Sequence, residues 1–160
     1  MLVDVAKGWL PVWLFADLAG VAFPWTLAFG VAAIFGHMFS LFVGFKGGKG
    51  MATSAGAFLG LAPWAVLGGL IVWLVLTFGT GYVSVGSIGA AFVLPFFIAL
   101  TPHQGGMTLV WFAVPLAAFV IWKHRTNIER LRRGEENRFR GASTARAEGE
   151  TVAERDAVRE

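Results

Sequence analysis

The sequence predicts an all-helical integral membrane protein, and two features of its composition carry that prediction. Hydrophobic side chains make up 56% of the 160 residues, and the mean hydropathy is +0.67. Charged residues make up only 14% of the chain, against about 25% in soluble domains. They are also unevenly placed, because Met1–Trp122 carries five charges and Lys123–Glu160 carries the other 18. An apolar body with a charged C-terminal end is typical of a polytopic membrane protein.

Glycines, prolines and the few charges divide the apolar region into about six predicted transmembrane helices. The predicted spans are residues 2–19, 24–44, 51–62, 64–79, 83–100 and 107–122. The span 51–62 is short, because about twelve residues give about 18 Å of helix against about 30 Å of hydrocarbon. It is either a re-entrant half-helix or a crossing in a locally thin part of the bilayer.

The distribution of basic residues decides between these alternatives. Lysine and arginine collect in cytoplasmic segments, and the two basic clusters are Lys46/Lys49 and Lys123–Arg140. An even number of crossings must separate them, so residues 51–62 are predicted to cross. Both ends then lie in the cytoplasm. The polar segments share that face: Asp4 and Lys7, residues 45–53, residues 80–87 and residues 123–130.

The residue types exclude several functions. The chain has no cysteine, which excludes disulfides, thiolate metal sites and cysteine nucleophiles, and we expect neither a metal nor a cofactor. The net charge of +3 comes mainly from the C-terminal end. A basic segment beside the last span is typical of topology and of contact with anionic lipids. We therefore expect membrane lipids, and no nucleic acid, among the partners.

The most informative motif is a loop of three glycines and two lysines in front of the span 51–62. Such glycines let successive N–H groups point at one anion, the helix N-terminus favours negative charge, and the lysines add full charges. The loop therefore predicts a phosphate site, and the alternative is a basic turn that only sets topology. It is not a Walker A loop, because the required spacing is absent. The candidate ligands are Lys46, Gly47, Gly48, Lys49, Gly50 and Thr53.

Two further polar pairs are spaced three residues apart, so that each pair shares one helix face. Ser84 and Ser87 either donate to an anion or cap the helix that they begin. His124 and Asn127 can present donors to the same space. The arginines that follow, Arg130 among them, are more typical of lipid-headgroup contact.

Three ionisable residues are possible supports of this site. His37 is a lone histidine inside a span, a position that is either hydrogen-bonded to a neighbouring helix or functional. Asp4 and Lys7 lie three residues apart and are expected to neutralise each other. Glycines within the spans predict close helix packing: Gly30, Gly36, Gly56, Gly60, Gly68 and Gly69. Residues 1–136 are predicted to form one membrane domain and residues 137–160 a disordered cytoplasmic tail.

Four segments, taken in order, resemble the motifs of one known family. They are Asp4-x-x-Lys7-Gly8-x-x-Pro11-Val12, Gly36-His37-x-Phe39 with Phe45–Thr53, Tyr82-x-Ser84-x-Gly86-Ser87, and His124-Arg125-x-Asn127 continuing to Glu136. The family is that of the bacterial acyl-phosphate:glycerol-3-phosphate acyltransferases (PlsY type), and the resemblance covers about residues 2–136. Ser40, where the family often has proline, and Met51, where it usually has valine, are mild departures.

The resemblance implies seven spans and a first signature, a Gly-Ser-Gly-Asn-like loop between the first two spans. This chain begins at what would be the second span. A misassigned start, a fragment and a real loss are all open, and we expect little acyltransferase activity from the chain alone.

The resemblance implies transfer of a fatty acyl group from acyl phosphate to the 1-hydroxyl of glycerol 3-phosphate. The product is lysophosphatidic acid, in the first step of phospholipid synthesis, and Glu136 joins the site residues named above. No catalytic side chain is assigned, because a substrate phosphate oxygen can act as the base. The alternative from the residues alone is a non-catalytic small transporter or lipid-binding subunit with an anion pocket.

Overall fold

A computed structural model describes residues 1–15, 20, 22–40, 44 and 47–139 of the chain. These residues form helices and no strand, which confirms the predicted all-α class. The helices in chain order are α1 (Leu2–Trp13), α2 (Phe23–Met38), α3 (Met51–Leu61), α4 (Pro63–Thr80), α5 (Val83–Leu100), α6 (Gly106–Lys123) and α7 (Arg125–Arg133).

Three helices have both the length and the apolarity to cross a membrane. They are α4, α5 and α6, each of 18 residues. Two apolar helices are shorter, α2 with 16 residues and α3 with 11. Helices therefore occupy all six predicted spans, whereas the number of crossings stays a prediction. The end of the first predicted span, residues 16–19, lies outside the described residues.

The predicted span 24–44 is too long, because α2 ends at Met38. Phe39 has left the helical conformation, with φ −121° and ψ 45°. The physical reason is the returning loop. A Cβ atom at Gly47 would overlap the carbonyl of His37, and one at Gly48 would overlap its imidazole. The loop thus occupies the space into which the helix would continue.

Glycine contacts bring α1 and α3 together. A Cβ atom at Gly8 would overlap the Thr53 carbonyl, and one at Gly56 would overlap the Val5 carbonyl. The backbones are in direct contact there, which only glycine permits. Close contacts also surround Gly30, Gly60 and Gly68, as predicted, and Gly69 has one at 4.0 Å. The prediction for Gly36 is wrong, since no other group of the described chain lies within 4 Å of its Cβ position.

The apolar core joins helices α1 to α6. Its largest fully buried side chains are Phe58, Ile34, Met38, Ile98 and Leu109, and the Phe58 ring lies 6.5 Å from that of Phe112. Packing in this core fixes the positions of the helices, and therefore of the polar residues at their ends.

The chain turns twice after the last long helix. His124 separates α6 from α7, and Gly134 ends α7 in the left-handed conformation, at φ +72°. Residues 137–139 then pack on the turn between α4 and α5, so they belong to the folded body, whereas the prediction began the tail at residue 137. Residues 140–160 lie outside the described residues, and their disorder stays a prediction.

Candidate active site

A cavity of about 550 Å³ opens at the end of the bundle where α2 ends and where α3, α5 and α7 begin. The structure brings together residues that the sequence places far apart. Eight residues singled out from the sequence line it: His37, Lys49, Gly50, Ser84, Ser87, His124, Asn127 and Glu136.

A chain of hydrogen bonds crosses this cavity. The Lys49 ammonium donates to Asn127 Oδ1 at 2.5 Å, and Asn127 Nδ2 donates to Glu136 Oε1 at 2.6 Å. Arg130 Nε donates to the other carboxylate oxygen of Glu136 at 2.7 Å. The network fixes the side chain of Asn127, which is buried and uses both its amide oxygen and its amide nitrogen. It joins the loop before α3 to α7 and to the segment that follows it.

The network contains two cations, Lys49 and Arg130, and one carboxylate, Glu136. Desolvation raises the pKa of Glu136, but the hydrogen bonds from Asn127 and Arg130 outweigh it, so the net pKa lies below the ordinary value and the carboxylate stays ionised. Desolvation, and then repulsion by Arg130, lower the pKa of Lys49. Arg130 alone forms an ion pair with Glu136, so the network keeps one positive charge in excess, and an added phosphate relieves the repulsion between the two cations.

The N-terminus of α3 faces the same cavity. Gly50, Met51 and Ala52 line it, and no side chain caps the first turn. Gly50 has φ +79°, and a Cβ atom there would also meet the Met38 side chain at 2.7 Å. Uncapped N–H groups at a helix start attract anions, so this turn is suited to a phosphate group.

The two serines at the start of α5 are placed differently from each other. Ser87 Oγ donates to the Val83 carbonyl at 2.9 Å and accepts from Trp73 Nε1 at 3.2 Å. Ser84 is buried, and its Oγ makes no hydrogen bond of ordinary geometry in the described part of the chain, although it lies close enough to Glu136 to lower the pKa of that carboxyl. Neither serine caps α5. The capping alternative is therefore not observed, and Ser84 Oγ retains hydrogen-bonding capacity beside Glu136.

His124 is buried at the junction of α6 and α7. Its Nδ1 lies 2.8 Å from the Val120 carbonyl, so Nδ1 carries the hydrogen and donates. Desolvation lowers the pKa of His124 in spite of that hydrogen bond, and Lys49 lowers it further. The imidazole is thus biased towards the neutral form, in which Nε2 is an acceptor. The sequence suggested a donor at this position.

Three predicted site residues in the described part of the chain do not line the cavity. Thr53 is fully buried, with its carbonyl against Gly8. Gly47 and Gly48 pack on the end of α2, and Lys46 lies outside the described residues.

The three possible supports form a cluster beside the cavity. The Asp4 carboxylate lies 3.8 Å from the Lys7 ammonium and 3.6 Å from His37 Nδ1. The pairing of Asp4 with Lys7 is therefore observed. His37 links the pair to the cavity, which it lines.

Sequence reasoning missed four residues that line the cavity. Arg130 was interpreted as a lipid contact, but it binds Glu136. The others are Asn137, Arg138 and Phe139, from the predicted tail. Only the opposite charges of Arg130 and Glu136, six residues apart, could have indicated the turn that brings them together.

The fold and the cavity together define a class, a helical membrane protein with a cavity lined by basic residues at one end of its bundle. A family model described as "Glycerol-3-phosphate acyltransferase" matches residues 1–134. The glycerol-3-phosphate acyltransferase of Geobacter sulfurreducens is 49% identical over 143 residues, which cover 88% of this chain and 71% of that protein. That of Trichlorobacter lovleyi is 48% identical over 137 residues, covering 86% and 69%.

Two crystal structures are similar to the chain over most of its length. Both are of PlsY (YgiH), an integral membrane glycerol 3-phosphate acyltransferase. The glycerol 3-phosphate form has a TM-score of 0.79 at 34% identity and covers 90% of this chain and 71% of that one. The lysophosphatidic acid form has a TM-score of 0.76 at 35% identity, covering 86% and 69%. The chain belongs to the glycerol-3-phosphate acyltransferase family, and the predicted integral membrane class is confirmed.

Proposed function

We propose that the chain transfers an acyl group from acyl phosphate to the 1-hydroxyl of glycerol 3-phosphate. A bond forms between the hydroxyl oxygen and the acyl carbon, and the bond between that carbon and the phosphate oxygen breaks. The hydroxyl proton passes to a phosphate oxygen, and the products are lysophosphatidic acid and inorganic phosphate. Membership of the family supports the acceptor and the type of reaction.

The observation that carries the proposal is the Lys49–Asn127–Glu136–Arg130 network beside the uncapped start of α3. Both substrates carry phosphate, so the site must hold anions next to the bilayer. A cavity of about 550 Å³ lies within the range of about 300–1,000 Å³ that ligand pockets occupy. Lys49 and the N–H groups of the first turn of α3 then bind one phosphate group.

The remaining groups suit the glycerol part of the acceptor. Nε2 of neutral His124 can accept a hydrogen bond from a hydroxyl, and Ser84 Oγ, which makes no hydrogen bond of ordinary geometry in the described part of the chain, can donate or accept one. Acyl phosphate already carries a good leaving group. The work of the site is therefore to position the substrates and to stabilise charge. A substrate phosphate oxygen serves as the base, and no side chain is assigned that role.

We place this site at the cytoplasmic face of the bacterial inner membrane, with six crossings and both described ends on that side. Two observations support the placement. The polar segments around Lys49, Ser84 and His124 meet at one end of the bundle. The turn before α6 lies at the other end with the start of α2, because a Cβ atom at Gly105 would overlap the Phe23 ring.

The test is an acyl-transfer assay on membranes and on the purified chain. Palmitoyl phosphate and labelled glycerol 3-phosphate should give labelled lysophosphatidic acid, in the small yield expected of this chain alone, whereas palmitoyl-CoA should give none. Lys49→Ala should abolish the product. Arg132→Gln, which removes a positive charge from the exposed face of α7, is the matched control. Binding of glycerol 3-phosphate without transfer would favour the non-catalytic alternative. Equal use of the CoA ester would refute the proposed donor.

A further inference from the structure

The three residues Asn137–Phe139, hereafter the strap, line the cavity, and Arg138 and Phe139 dock on the turn between α4 and α5. The Phe139 amide donates to the Gly81 carbonyl at 2.7 Å. The Phe139 ring meets the Phe78 ring edge to face, with centroids 6.0 Å apart and an angle of 85°. Such an aromatic pair is worth more than its buried area alone, so the strap has a defined anchor.

Arg138 makes the second attachment of the strap. Its Nε donates to the Tyr82 hydroxyl at 3.0 Å, and its guanidinium lies 5.3 Å from the centre of the Tyr82 ring. Arg138 and Tyr82 are 56 positions apart in the sequence. The contact therefore ties the end of the described chain to the start of α5, where Ser84 lies.

Glu136 is held between these attachments and α7. The left-handed Gly134 reverses the chain, and the Glu135 amide donates to the Arg130 carbonyl at 2.8 Å. Glu136 then receives the hydrogen bonds from Asn127 and Arg130 on one side, and the strap follows on the other. Without these attachments, Glu136, three residues beyond the end of α7, would be held only by its hydrogen bonds to Asn127 and Arg130.

We propose that the strap is a positioning element: by docking on Tyr82 and Gly81 it holds Glu136 against Asn127, and so aims Lys49 at the substrate phosphate. The functional part of this inference rests on the proposed acyl transfer. The family model matches residues 1–134, so the strap lies beyond the matched part of the chain. Tyr82 and Arg138 are positioning residues, because they act on Lys49 only through Glu136 and Asn127.

The kinetic test is a double-mutant cycle on the attachment between Tyr82 and Arg138. Tyr82→Phe removes the acceptor oxygen and keeps the ring, and Arg138→Gln removes the charge. Each variant should raise the KM for glycerol 3-phosphate about three- to tenfold, the range for one lost hydrogen bond, with kcat nearly unchanged. The double variant should be no worse than the worse single variant, because both break one link. Arg132→Gln is the control.

A second readout does not depend on activity. Amide hydrogen exchange of the full chain in detergent should become faster at Phe139 and in residues 47–53 of Tyr82→Phe and Arg138→Gln, but not of Arg132→Gln. Additive kinetic losses with unchanged exchange in residues 47–53 would overturn the proposal, because Arg138 would then act on the substrate directly. If the unsubstituted chain neither binds nor acylates glycerol 3-phosphate, the proposed function fails, and the exchange result alone decides whether the strap positions the loop.

Discussion

Lys49 donates a 2.5 Å hydrogen bond to Asn127, a residue 78 positions further along the chain. The bond joins the glycine-rich loop to α7, and Asn127 is in turn oriented by Glu136. A lysine ammonium on a flexible stem is a point charge without a preferred direction. The asparagine therefore fixes where that charge lies.

Replacing Lys49 by alanine should nearly abolish acyl transfer and leave the protein folded in the membrane. The reason is that a site that works by electrostatic positioning loses about 10²–10³ in rate with one donor. The measurement is kcat/KM with palmitoyl phosphate and glycerol 3-phosphate, beside Arg132→Gln. Near-normal turnover in Lys49→Ala would remove the loop from the active site.

Alanine at Asn127, His124 and Ser87 should weaken glycerol 3-phosphate binding in that order. Asn127 makes two hydrogen bonds to charged groups, each worth about 1.5–3 kcal/mol. His124 offers one acceptor, and the Ser87 hydroxyl is already engaged with the Val83 carbonyl. The KM and kcat/KM of each variant measure the effect. A loss at Ser87 as large as that at Asn127 would contradict the geometry.

The pH dependence of phosphate binding should reflect the environment of Lys49. Burial lowers the pKa of its ammonium below the ordinary 10.5, so the charged form is lost as pH rises through that lowered value. Glycerol 3-phosphate affinity, measured by calorimetry, should therefore decline at alkaline pH before an ordinary lysine titrates. Lys49→Arg should move this limb to higher pH, because arginine stays charged. If the alkaline decline in affinity is unchanged in Lys49→Arg, it arises from the titration of another group.

The acid side should be governed by Glu136. Its pKa lies below the ordinary value because Asn127 and Arg130 donate to the carboxylate. The ionised, hydrogen-bonded form is therefore complete above the ordinary carboxyl pKa and is lost only as pH falls through the lowered value. At mildly acidic pH, wild-type affinity should fall only as the substrate phosphate takes up its own proton, at about pH 6, whereas Glu136→Gln should be weaker at every pH. Identical profiles of the two proteins would remove Glu136 from the network.

Cysteine labelling should define the topology, since the chain has no native cysteine. The cysteine probes should be placed at exposed positions. The glycines of the two turns, Gly105 and Gly48, are unsuitable, because a side chain there would overlap Phe23 or His37. We expect Gln104→Cys and Trp64→Cys to react from outside the cell. Thr80→Cys and Glu135→Cys should react only from inside. Labelling of Trp64→Cys from inside alone would mean that the short α3 does not cross.

Two glycine substitutions should differ sharply in their effect on stability. Gly8→Ala places a Cβ atom in the Thr53 carbonyl, so α1 must move away from α3, at a cost of about 1–3 kcal/mol. Gly36→Ala adds a methyl group where nothing described lies within 4 Å, and should be neutral or slightly stabilising. Thermal unfolding of the two variants in detergent provides the comparison. Equal Tm values would refute the close packing of α1 on α3.

Much of the site was predictable. Basic segments collect in the cytoplasm, and an even number of crossings between them brings Lys49, Ser84 and Asn127 to one end of the bundle. The parts that failed depend on backbone geometry, which hydropathy does not encode. Nothing in the apolar run around Met38 signals that a returning loop ends α2 there. The spacing of Ser84 and Ser87 does not distinguish them. The rotation of α5 about its axis gives Ser87 a hydrogen-bond partner, whereas Ser84 has none of ordinary geometry in the described part of the chain.

Arg138 and Phe139 illustrate a second limit. Their segment has no periodicity and a charged composition, which favours a disordered interpretation. Its contacts are with Tyr82 and Phe78, in a distant turn. Isolated attachments of this kind leave no pattern in the sequence.

The wide separation of Lys49 and Asn127 along the chain has a consequence for how the protein is made. During synthesis the glycine-rich loop emerges long before α7, and three long helices must enter the bilayer in between. Until then Lys49 lacks its partner and one wall of the cavity is absent. A nascent or prematurely terminated chain therefore holds no assembled cavity. The Lys49–Asn127 bond can form only in the last stage of synthesis, after α7 has emerged.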